Sequence, residues 1–69
     1  MRCIELCNAI SAQDGWRAEF TYCGSTGEYV GRVYTHEDGI GWICDKIAVS
    51  ANIHVVEDIL VEALHSLLF

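Results

Sequence analysis

Proline is absent from this 69-residue sequence, and only Arg2, Arg17, Arg32 and Lys46 carry positive charge, against ten carboxylates. The first absence, with six glycines spread along the chain, argues against a linker or a disordered tail. The second argues against direct binding of nucleic acid, because neutralising phosphates needs a basic surface. No apolar run approaches the roughly 18 residues of a membrane span, since charge interrupts the C-terminal segment every few positions, and no membrane partner is expected. A targeting segment is not expected either: Met1-Arg2-Cys3-Ile4-Glu5 sets a carboxylate where a signal core would be apolar. These features point to a cytoplasmic protein whose Cys3, Cys7, Cys23 and Cys44 remain thiols.

What is present is mostly apolar, 52% of all residues. The length fits a single compact domain over residues 1–69, and a marginal one, because a chain near 60 residues buries only about 60% of its unfolded surface. Oligomerisation, metal or disulfides commonly supplement so small a core. The net charge of −6 is lopsided: residues 1–35 carry three arginines against four carboxylates, and residues 36–69 one lysine against six, or −1 and −5. An acidic half of this kind suits a basic partner, and equally keeps an apolar small protein soluble.

Along the chain, Cys3, Leu6, Cys7 and Ile10 fall at i, i+3, i+4 and i+7, which favours a short N-terminal helix; the alternation of Ile4 and Leu6 permits a strand. Ser11 to Gly15 reads as a turn. Trp16, Ala18, Phe20 and Tyr22 alternate with Arg17, Glu19, Thr21 and Cys23, as in a half-buried strand. Gly24-Ser25-Thr26-Gly27 closes a hairpin onto a second strand over Tyr29 to Thr35. His36 to Gly39 turns again, Asp38-Gly39 being its strongest signal, and Ile40 to Ile47 forms a third strand. Ser50 or Asn52 caps a final helix, Ile53 to Phe69, whose apolar residues cover about two thirds of its circumference. That is wider than one core uses, so part of the helix is expected to meet another chain. Trp16 and Trp42, as strand residues, are expected to line the core, with anchoring of a partner as the alternative.

The fold expected is α+β: a three-stranded antiparallel sheet with a long C-terminal helix packed on one face and a short N-terminal helix or strand, in αβββα order, with ββββα as the alternative. This order and length resemble the double-stranded-RNA-binding fold in topology. That family depends on a basic cluster at the start of its last helix, whereas Ser50-Ala51-Asn52-Ile53-His54-Val55-Val56-Glu57-Asp58 is acidic. The resemblance therefore implies the fold without the RNA-binding activity.

No pattern fixes a chemical site. His54, Asp58, Glu62 and His65 share a polar stripe, but His54 and His65 lie about 16 Å apart along a helix, too far to close one metal site within a chain. Cys3 and Cys7 with Cys23 and Cys44 lack the tight paired spacings of structural zinc, and small buried hydrophobes are the commoner fate of such cysteines. Gly24 to Gly27 has the G-x-x-G form that cradles phosphodiesters, yet Glu28 follows it and no basic residue lies inside, so a hairpin loop suffices. His36, Cys44 and Asp45, or Ser25 and His36, have no signature to assemble them as nucleophile and base. A chain this short also leaves little room for both a core and a pocket of about 300 Å3. No catalytic residue, metal or cofactor is therefore assigned, and the protein is not expected to be an enzyme.

Two binding functions are expected instead. In the first, an acidic interaction protein sets Glu37, Asp38, Asp45, Glu57, Asp58 and Glu62 against a basic surface of a nucleic-acid-handling protein, as an inhibitor or nucleic-acid mimic. Compact acidic proteins of phages and mobile elements, including anti-CRISPR proteins and DNA mimics, are similar in size and charge. In the second, a structural or assembly subunit homodimerises through Val55, Ile59, Leu68 and Phe69 on the C-terminal helix. Leu67-Leu68-Phe69, three large apolar residues ending the sequence, favour the second.

Overall fold

In the computed structural model, which describes residues 2–68, the order is α1 (Arg2–Ser11), β1 (Trp16–Cys23), β2 (Glu28–Glu37), β3 (Gly41–Ser50) and α2 (Ile53–Leu68). The first segment is a helix, and its spacing shows why: Cys3, Cys7 and Ile10 fall on one face and are buried. The turn that follows is held by Ser11, whose Oγ accepts from the Ala18 amide at 3.0 Å, and by Gly15 at φ 79°. Gly27, at φ 72°, donates its amide to the Cys23 carbonyl at 2.8 Å and closes the β1–β2 hairpin. Asn52 caps α2, its Oδ1 accepting from the His54 amide at 3.0 Å, while Ser50 Oγ accepts from the Asn52 amide.

The strands form one antiparallel sheet in the order β1-β2-β3, so β2 is central and β1 and β3 are edges. Both helices cover the same face. On it α1 packs on β1, α2 packs on β2 and β3 to the same degree, and the helices pack on each other. The core they enclose comprises Cys3, Cys7, Ile10, Val33, Ala48, Val56, Leu60 and Ala63, with Trp16, Ala18, Phe20 and Tyr29 packed around it. Gly31 on β2 lets α2 approach: a Cβ there would stand 2.8 Å from Val56 Cγ1.

The width of the apolar surface on α2 has a simple cause, because it buries one flank on α1 as well as its centre on the sheet. Ile53, Ile59, Leu64 and Leu67 pack at least partly against the core. Among the large apolar residues described on α2, Val55 and Leu68 are the exposed ones. No helix of the described residues is long and apolar enough to cross a membrane.

Both later strands run further than the sequence reading placed them, β2 to Glu37 and β3 to Ser50. Between Val33 and Tyr34 the β2–β3 register slips: Val33 faces Lys46 and Tyr34 faces Cys44, which leaves Asp45 as the extra residue of a β-bulge.

Candidate interaction surface

Alternation along the strands, anchored by Gly31 beneath α2, places Arg17, Glu19, Thr21 and Cys23 of β1 on the face that no helix covers. Val30, Arg32, Tyr34 and His36 of β2 lie beside them, and then Trp42, Cys44, Ile47 and Val49 of β3. The face has two halves. Over β1 and β2 it is polar: Tyr34 Oη donates to Glu19 Oε1 at 2.7 Å, and Arg32 lies 3.7 Å from the same carboxylate. Donating its proton to Glu19 raises the Tyr34 pKa, the bond holding the phenol in its neutral form. Over β3 it is apolar, with Trp42 47%, Ile47 58% and Val49 50% exposed beside buried Val30.

Trp42 is thus not a core residue, whereas Trp16 packs half-buried against the core. Trp42 sits on the uncovered face and meets the His36 ring edge-on, centroids 5.2 Å apart. No alternation in the sequence singles it out, because Trp42-Ile43-Cys44 and Ile47-Ala48-Val49 are unbroken apolar runs on either side of Asp45-Lys46. The bulge at that pair keeps Trp42, Cys44, Ile47 and Val49 on one face.

The helix residues expected at a dimer seam do not form one stripe. Val55 and Leu68 are separated by about 220° around the helix and about 20 Å along it, and Phe69 lies outside the described residues. Glu57 pairs with Arg2 at 3.9 Å, which marks its flank of α2 as the one facing α1. At about 100° per residue, Leu68 falls on the Glu57 flank of the line Val56, Leu60 and Ala63, whereas Val55 and Ile59 fall on the opposite one, over β3. Val55 there is 46% exposed, and Ile59 is half-buried.

The carboxylates are divided as well. Glu37 and Asp38 lie at the β2–β3 turn, Asp38 4.0 Å from His36 Nδ1, while Asp58 and Glu62 lie on α2, which begins beyond the other end of β3. Ten strand residues span about 33 Å. Asp45 stands between them at the bulge, and Glu57 is half-buried against Arg2. All except Glu57 are exposed.

A groove of about 780 Å3 opens between the α1–β1 turn and the start of β3, lined by residues 11–18, His36 and Trp42. Its polar side chains are surface groups, and among the described residues no charged or polar side chain is buried. Nor do three of His, Cys, Asp and Glu gather as a metal site among the described residues. The four cysteines are free: Cys3 and Cys7 lie one helical turn apart inside the core, Cys23 at the end of β1 and Cys44 on β3. Burial raises the Cys3 and Cys7 pKa values, that of Cys7 to about 11. Hydrogen bonds from Ser25 and Thr26 lower that of Cys23 to about 7, Ser25 Oγ lying 3.2 Å from its Sγ.

No protein-family model, curated protein or solved structure matches this chain. The likeness to the double-stranded-RNA-binding fold therefore rests on the element order αβββα and extends no further.

Proposed function

We propose that this protein is a small, non-enzymatic protein-interaction domain of the cytoplasm, which binds through the apolar side of β3 and the neighbouring flank of α2. The observation that carries the reading is the uncovered half-face of Trp42, Ile47 and Val49, contiguous on one strand. Apolar side chains grouped in this way on a small soluble domain mark a binding surface, whereas scattered ones do not. The reading keeps the assembly role expected from the sequence but moves its centre from the helix to the sheet edge. Association there should be insensitive to salt. The test compares capture by the wild-type chain and by Ile47→Glu/Val49→Glu, eluted up to about 1 M NaCl, where the screening length is about 3 Å. A partner held by the wild type at that salt and lost from the double variant supports the reading; equal release of both at low salt contradicts it.

The carboxylates favour a second reading, in which an inhibitor or nucleic-acid mimic meets the basic surface of a nucleic-acid-handling protein. Its support is that Glu37, Asp45, Asp58 and Glu62 are exposed and make no ion pair among the described residues. Glu37→Lys/Asp38→Lys should then weaken binding without unfolding the domain, and affinity should fall steeply with salt. Full affinity in that variant would remove the turn from the site.

A further inference from the structure

We infer that a second copy of this chain covers the free edge of β3. The two β3 strands run antiparallel about a two-fold axis at Asp45-Lys46 and join two three-stranded sheets into one of six. This arrangement rests on the reading of β3 as the binding surface and names its occupant.

Along the ten residues of β3, the backbone donors and acceptors that point away from β2 meet no strand among the described residues. Such an edge is a template for another strand unless something blunts it. Here the blunting devices are the bulge at Asp45 and the neighbouring Lys46, which shares its face with Val33, toward the helices. Both disrupt an arbitrary strand laid along the edge. Only the chain's own β3, reversed and centred on the bulge, meets each device with its complement: Asp45 of each copy stands beside Lys46 of the other, opposite charges across the axis.

The same register matches the side-chain faces. It sets Trp42 opposite Val49 of the second copy and Cys44 opposite Ile47, and all four lie on the uncovered face. In an unbulged strand a pairing that sets Asp45 opposite Lys46 would bring residues of opposite faces together, because faces alternate with period two. The bulge restores the match, so the apolar strip of one copy continues into the other.

The helix layer agrees. α2 packs on β3 as well as on β2, so a second copy joined at β3 brings its own α2 to the same side of the joined sheet. The flanks brought together are those facing away from α1, which carry Val55 and Ile59. The seam thus gains apolar contact on both faces of the joined sheet.

The test uses the full chain. Ile47→Cys, at an exposed position, should form an intermolecular disulfide with Cys44 of the second copy on mild oxidation, because directly opposed residues of antiparallel strands lie about 4.5–5.5 Å apart between Cα atoms, within disulfide reach. Ile47→Cys/Cys44→Ala should not form it. In addition, at low salt Asp45→Lys and Lys46→Asp should each dimerise more weakly alone and form a tighter mixed dimer when combined. A dimer in sedimentation velocity that neither cross-links nor shows the charge rescue overturns this register and leaves β3 as a binding surface. A monomer under all conditions overturns the second copy as occupant; if the Ile47→Glu/Val49→Glu variant still loses a different partner, the broader reading stands, and if it loses none, both fail.

Discussion

Replacing Gly31 by alanine should destabilise the domain by about 1–2 kcal/mol, against the ordinary expectation that a glycine within a strand weakens it. The new methyl would lie 2.8 Å from Val56 Cγ1 and 3.6 Å from a Leu60 methyl. Neither neighbour is the loose end of a flexible side chain. Val56 and Leu60 have no exposed surface, and a valine in a helix holds one strongly preferred rotamer. Forcing one methyl into such a site costs about 1–3 kcal/mol. Against this, alanine restricts the unfolded chain and returns about 0.4–1 kcal/mol. The net corresponds to a fall in Tm of about 4–16 °C for a domain of this size. Urea denaturation followed by tryptophan fluorescence measures it, with the slope of the transition expected to stay constant. The cause is tested by a double-mutant cycle. Val56→Ala alone should cost on the order of 2 kcal/mol through the cavity it leaves. Gly31→Ala/Val56→Ala should then be more stable than the sum of the single changes by about 1 kcal/mol, because the second change vacates the space that the first needs. A raised midpoint in Gly31→Ala, or strict additivity in the cycle, would refute the close approach of α2 to β2.

Two further predictions concern local chemistry. Asn52→Ala should cost about 1 kcal/mol by removing the acceptor for the His54 amide at the start of α2, read as a lower thermal midpoint. Cys23, with its thiolate stabilised and its pKa near 7, is protonated below that pH and ionised above it, so its alkylation by iodoacetamide should rise through neutral pH; in Ser25→Ala the rise should move toward pH 9, and Cys7, held near 11 by burial, should stay unmodified in the folded chain, each followed by peptide-resolved mass spectrometry.

How much of this was legible beforehand depends on the kind of signal. The element order follows from periodicity and punctuation: Cys3, Cys7 and Ile10 at helical spacing, Trp16 to Tyr22 in alternation, and glycines at the turns. These are local properties, and the structure uses them directly. Which side of the sheet the helices cover is a non-local property. Trp42 looks as apolar as Trp16, and only the stacking of both helices on the face of Gly31 and Val33 packs one indole against the core and leaves the other outside. The same limit applies to α2, whose apolar width is explained by α1 beside it, a neighbour that helix periodicity does not reveal. The bulge at Asp45 was not legible, because Trp42-Ile43-Cys44 and Ile47-Ala48-Val49 are apolar at every position and carry no period that a slip could break.

The seam between copies at β3 is tested most directly by sedimentation velocity of the purified full chain over a range of concentrations, at low salt and at about 1 M NaCl. The prediction is a reversible species of twice the 7.7 kDa chain mass that persists at high salt and is abolished by Ile47→Glu/Val49→Glu. A single 7.7 kDa species at every concentration, or a dimer unaffected by that double change, would contradict it.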